Sequence, residues 1–258
     1  MAAEVLTTVG VVVALLVVHQ VWWTNRQAVA GAQEQVRALE RAWEGGEGEG
    51  DASLAPSVGE GDGQGAGVVV GGSGGAGGGD VRASPPAAGA GGGTGARPAP
   101  AAAGPARDEA YGVLRIPRLG LSVPVAEGVD RRAVLDKGYV GHYPGTAQPG
   151  AEGNFALAGH RNTHGEPFRY LNRLREGDEV FVDLRGRRYT YVVGKVLAET
   201  SPGDVGVIAP VPRSSVRPGY GYESAGSYIT LTTCTPEYTS KYRLVVWGTL
   251  RSVVSEAR

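Results

Sequence analysis

The run 227–250, SYITLTTCTPEYTSKYRLVVWGTL, decides how this chain is read. Two apolar, β-branched stretches flank a polar connection, and each alternates with the period of two that a strand requires. On the first, Ile229, Leu231 and Thr233 share one face, and Thr230, Thr232 and Cys234 share the other. Pro236 has no N–H to donate and ends the pairing just past Cys234. Thr235 to Tyr242, eight residues, join the two stretches. If these pair as an antiparallel hairpin, Arg243 stands near Cys234. Cys234 is the only cysteine in the chain, so no intramolecular disulfide supports this fold. A lone cysteine is more often a small buried hydrophobe. On the more polar face at a strand end, this one is placed for reaction.

Working back toward Tyr111, the same texture repeats. GVLRIP, LSVPVAEG, GNFALAGH, DEVFVDL and RRYTYVVGKVL each read as a strand. YPGT, PGAEG, REGD, DLRGR and SPGD between them carry turn chemistry. EPFRYLNRL is the one short helix or turn. Seven or eight short strands at this spacing read as an all-β sandwich or barrel. The domain is expected over residues 110–252, with a short tail over 253–258.

A thiol nucleophile needs an acid/base partner for a leaving amine. His19 lies in an apolar segment and is excluded, while His142 and His164 flank the turns GHYPG and THGEP. His160 follows the strand NFALAG, and Gly159 before it permits close approach, so His160 is the best candidate. Arg243 keeps its charge and can hold an oxyanion or a substrate carbonyl. No metal-ligand cluster stands out; Asp178, Glu179, Asp183 and Asp204 read as solvated turn carboxylates, and no cofactor is expected.

The N-terminal half is of another kind. After residues 1–4, Val5 to Trp23 carry no formal charge, and at 1.5 Å rise such a segment spans roughly 28 Å against a bilayer core of about 30 Å. Trp22 and Trp23 stand where indoles favour the membrane interface. A membrane anchor is therefore expected over 5–23, in preference to a signal peptide or a core helix. Residues 24–44, with Val29, Val36, Leu39 and Trp43 at helical spacing, read as a juxtamembrane helix. Residues 45–109, rich in Gly, Ala and Pro, read as a disordered linker reaching roughly 45 Å. Glu4 precedes the span and Arg26 follows it, so charge does not orient it; an extracellular domain follows only from the function expected below.

The net charge of −1 argues against a nucleic-acid partner; it divides into −6 over residues 1–109 and +5 over 110–258, a basic domain behind an acidic stalk that would suit an anionic wall or membrane surface.

NFALAGHR, then TLTTC, then RLVV, together with LRIPRLGLSVPVAEG and HYPGTAQPGAEGN, resemble the sortase family over about Tyr111 to Leu250. LTTCTP, the short Cys–Arg connection and GHYPGT are most similar to class E sortases of actinobacteria. The resemblance implies a closed eight-stranded β-barrel and a membrane-anchored cysteine transpeptidase. Such an enzyme cleaves an LAxTG- or LPxTG-like C-terminal sorting signal between Thr and Gly. It passes the acyl group to the amine of a lipid-linked peptidoglycan precursor. It implies Cys234 as nucleophile, His160 as general acid/base and Arg243 as oxyanion or substrate-positioning residue. Thr233 matches a threonine near the oxyanion site, and Tyr143 resembles the tyrosine associated with alanine at the second signal position. The alternatives are a thiol hydrolase that releases surface proteins and a non-catalytic barrel that binds sorting signals.

Overall fold

The computed structural model describes residues 2–45 and 104–255. Nearly all of the linker expected over 45–109 lies outside the described residues. Eight strands follow one another: β1 (Ala110–Ile116), β2 (Leu121–Glu127), β3 (Val140–His142), β4 (Gly153–Ala158), β5 (Glu179–Leu184), β6 (Arg187–Thr200), β7 (Ser227–Thr235) and β8 (Tyr242–Ser255). They close into a barrel in the order β1-β2-β3-β4-β7-β8-β6-β5, with β5 returning to β1. The fold is thus the closed barrel and not the sandwich. The three-residue β3 is too short to show a period, and the turn sequence GHYPG overlaps its end. β8 runs to Ser255, past the expected domain end at 252, because Val253 and Ser255 still pair with Tyr189 and Arg187 of β6.

Alternation along β7 and β8 sets which residues fill the barrel. Ile229, Leu231, Leu244 and Val246 meet Phe155 and Leu157 of β4 and Tyr191 and Val193 of β6 in one buried cluster. Each such side chain contributes about 1.5–3 kcal/mol by leaving water. The other face of β7 and β8 is also covered, by the β6–β7 connection. Val245 and Trp247 pack with Leu197 and Val207, and Trp247 Nε1 donates to the Val207 carbonyl at 3.0 Å. Thr230, fully buried there, donates its hydroxyl to Asn154 Oδ1 at 2.7 Å.

Two of the four carboxylates read as solvated are not. Asp204 is buried, accepting from the Thr200 and Ser214 hydroxyls and from the Ser215 N–H, and so ties the β6–β7 connection together. Asp183 is buried between Arg115 and Arg188. Turn-like sequence around a carboxylate does not reveal donors that arrive from other strands.

Residues Ala2–Gly45 form one continuous helix, α1, across the expected boundary between anchor and juxtamembrane segment. Its first part is long and apolar enough to cross a membrane, with a mean hydropathy of 2.1 and exposed side chains such as Leu6, Leu15 and Val18. Its second part packs on the barrel. Ala28, Ala32 and Val36, one face at i, i+4 and i+8, are buried, and Glu40 pairs with Arg115 of β1. Of the apolar residues at helical spacing, Val36 lies on this seam, whereas Val29 is exposed and Leu39 and Trp43 are half-buried. Small residues let the backbones approach: a Cβ on Gly138 would lie 3.0 Å from the Ala28 carbonyl oxygen.

Candidate active site

β4 and β7 are parallel neighbours in the register Ala158↔Thr232, so their C-terminal ends emerge at the same rim. Two residues further along each stand His160, just past the end of β4, and Cys234, the penultimate residue of β7. Two bonds lock these ends together: the Gly159 N–H donates to the Thr232 carbonyl at 3.1 Å, and the Thr233 hydroxyl donates to the Gly159 carbonyl at 2.8 Å. Thr233 is buried, and its hydroxyl fixes the strand that leads to His160. β7 and β8 are antiparallel in the register Cys234↔Arg243, the pairing expected of the hairpin. Cys234 is half-buried and free. The Arg243 guanidinium donates from Nη1 to the Ser240 and Tyr242 carbonyls, both at 3.0 Å, and so is held along the loop that joins β7 to β8. Three adjacent strands, β4, β7 and β8, thus carry a histidine, a cysteine and an arginine at one rim.

Tyr143, just beyond β3, places its hydroxyl 3.2 Å from the Thr232 hydroxyl. Thr232 shares the Cys234 face of β7, so Tyr143 borders the same side of the strand. His142, by contrast, belongs to the fold. It is buried on β3, where Nδ1 contacts Glu127 at 2.7 Å and Nε2 contacts the Thr146 hydroxyl at 2.9 Å.

Two residues at this rim escaped the sequence reading. Arg161, buried beside His160, donates from Nη1 to the Cys234 carbonyl at 3.2 Å and braces the backbone at that residue. Its position next to the histidine was the only signal available. Asp136, in the turn Leu135–Lys137 before β3, contacts His160 Nε2 at 2.8 Å through Oδ1. No spacing links residues 24 apart in loops.

Burial lowers the His160 pKa from its usual value, against the opposing hydrogen bond and charge of Asp136. Burial alone would raise the Asp136 carboxyl; the hydrogen bond from His160 and the charges of His164, His160 and Arg131 outweigh it and hold that carboxyl below the ordinary range. The result is a half-buried imidazole held by a carboxylate, neutral over a wider range than a free histidine. A groove of about 1010 Å³ lies elsewhere, between α1 and the 160–170 loop, with Trp22, Trp23, Val29, Glu166 and Arg169 on its walls.

A closed barrel with cysteine, histidine and arginine at three neighbouring strand ends brings a thiol, an imidazole and a guanidinium to one rim. Residues 114–251 match the sortase domain, and the chain belongs to the sortase family. It is 38% identical over 250 residues to sortase SrtE1 of Streptomyces coelicolor, spanning 95% of this chain but only 55% of that relative's length. It is 31% identical to sortase SrtE2 of the same organism, over 96% of this chain and 79% of the relative. The crystal structure of S. coelicolor sortase E1 with a tripeptide in its active site superposes with a TM-score of 0.55 at 47% identity, covering 59% of this chain and 94% of that one. These similarities support the class E assignment within the family.

Proposed function

We propose that this chain is a membrane-anchored cysteine transpeptidase that cleaves a C-terminal LAxTG- or LPxTG-like sorting signal between Thr and Gly. The acyl group passes to an amine of a lipid-linked peptidoglycan precursor. The observation that carries this reading is the convergence of His160, Cys234 and Arg243 on adjacent strand ends of a sortase-family barrel.

In the first step the Cys234 thiolate attacks the threonine carbonyl carbon. Arg243 and a backbone N–H stabilise the charge that develops on the carbonyl oxygen, where loss of one donor in comparable sites costs about 3–4 kcal/mol. His160, carrying the proton that the Cys234 thiol gave up, delivers it to the departing glycine amine as the C–N bond breaks, leaving a thioester on Cys234. In the second step the acceptor amine attacks the thioester, His160 takes its proton, and the thiolate leaves. Asp136 and Arg161 act as positioning residues for the ring and for the nucleophile's backbone. Thr233 holds the His160 and Cys234 strand ends in register, and Tyr143 borders the second signal position. α1 anchors the barrel with its catalytic face outside the cell, where both substrates are membrane-bound and their effective concentration is high.

Cys234→Ala should abolish both cleavage of an LAxTG peptide and formation of an amide with an added amine. Turnover retained in that variant would sink the proposal, and cleavage with no amide product at saturating amine would leave a hydrolase.

A further inference from the structure

The rim holds a second constellation. His160 reaches it from the end of β4, His164 from four residues further along the same loop, and Asp136 from the turn before β3. Asp136 Oδ1 lies 2.8 Å from His160 Nε2 and 3.5 Å from His164 Nδ1. One ligand atom from each of the three lies within 4.8 Å of the others. The two rings are 5.4 Å apart, centroid to centroid, and tilted by 32°.

His164 is the informative member. Its Nδ1 is a buried atom with no hydrogen-bond partner, although it faces the Asp136 carboxylate. A buried polar atom left in this state is unfavourable, because it has given up water without gaining a partner. Its backbone has φ of 51°, a left-handed conformation uncommon outside glycine. The loop is held there by α1, because the Gly165 N–H donates to Asn25 Oδ1 at 2.6 Å. An unpaired imidazole nitrogen is thus fixed in place beside a carboxylate and a second imidazole.

Two imidazoles and one carboxylate form a donor set suited to zinc-class divalent ions, with a fourth position open. In a tetrahedral site with bonds of about 2.0–2.1 Å, ligand atoms sit about 3.3 Å apart, a spacing that the 2.8 and 3.5 Å separations bracket. Arg131 Nε is 3.5 Å from the same carboxylate oxygen and opposes a cation, but its side chain is 74% exposed and free to turn into solvent.

We propose that Asp136, His160 and His164 form a binding site for a zinc-class divalent cation whose occupancy inhibits the enzyme. Binding draws His160 Nε2 and the Asp136 carboxylate into the metal's coordination and holds the imidazole as a neutral ligand, so the ring cannot take up the proton that the leaving amine needs. The inhibitory part rests on the catalytic reading of His160; the binding part does not.

The test uses the full chain in detergent micelles. Cobalt(II) is titrated by its visible d–d absorption, and zinc is added to displace it. One equivalent should bind the wild-type chain with a tetrahedral spectrum. His164→Gln and Asp136→Asn, each verified as folded by circular dichroism, should weaken binding by at least about tenfold, and Cys234→Ala should leave it intact. Zinc should also suppress peptide cleavage in the wild type, at a concentration raised by the same factor in His164→Gln. Unchanged affinity in both His164→Gln and Asp136→Asn would overturn the site, as would binding lost in Cys234→Ala alone. Because binding is read without turnover, a chain that holds the ion but cleaves no peptide counts against the catalytic reading and not against the site.

Discussion

Gly159→Ala tests the link between packing and the active-site rim. A Cβ at Gly159 would lie 2.7, 2.9 and 3.1 Å from Cδ2, Cγ and Cε2 of Phe168, where carbon contacts settle at about 3.5–4.0 Å. Phe168 is fully buried, so its ring cannot swing into solvent. Gly159 lies outside the left-handed region, so the substitution meets a steric obstacle and not a backbone one. Alanine lowers the entropy of the unfolded chain, which stabilises by about 0.4–1 kcal/mol. Overpacking costs about 1–3 kcal/mol, and it wins. A net loss of about 1–2 kcal/mol corresponds to a fall in Tm of roughly 2–8 °C for a domain of this size.

The same displacement reaches the chemistry. Gly159 is bonded to Thr232 and Thr233 on one side and precedes His160 on the other. A shift approaching 1 Å there lowers kcat on the order of 10²-fold. Thermal unfolding followed by circular dichroism and cleavage of an LAxTG peptide read the two effects separately. Phe168→Leu removes part of the ring that the new methyl meets. The double variant should therefore be less destabilised than the sum of the singles, with a coupling of about 0.5–3 kcal/mol. Strict additivity, or a Gly159→Ala chain with wild-type Tm and turnover, would refute the reasoning.

Asp136 raises the His160 pKa against burial, so Asp136→Asn should move the His160 titration further down, as followed by NMR; an upward shift would contradict the pairing. Asp204→Ala leaves the Thr200, Ser214 and Ser215 donors without their acceptor and should cost about 1.5–3 kcal/mol. Burial pushes the Asp204 carboxyl up, but its hydrogen bonds prevail and hold it below the usual range, so this contribution is present above the unfolded value of about 3.9 and is lost as pH falls through the folded one. Stability differences between the wild type and Asp204→Asn should accordingly shrink on acidification below about pH 4; a constant difference would show that the carboxylate's charge is not used. Removing residues 1–45 exposes the seam against Ala28, Ala32 and Val36 and releases Gly165 from Asn25. Amide exchange should then accelerate in the 128–139 and 160–170 loops while the barrel strands keep their protection; uniform protection would show that α1 does not brace these loops.

Period-two alternation, a lone cysteine at a strand end and an eight-residue connection to Arg243 are local patterns, and the strands they define survive intact in the barrel. The pairing of Cys234 with Arg243 was legible for the same reason, because a hairpin joins neighbours in sequence. That His160 stands at the same rim was legible only through resemblance, since β4 and β7 pair across some seventy intervening residues and no spacing records it. The apolar run over 5–23 announced a helix able to span a membrane, whereas the docking of α1 on the barrel depends on Ala28 and Ala32, whose small side chains signal little until Gly138 is found against the Ala28 backbone. Asp136, Arg161 and the unpaired His164 nitrogen belong wholly to the tertiary structure. Sequence determines strands through short-range periodicity and chemistry through residue type; which loop side chains meet is decided only when the barrel closes and brings distant turns to one rim.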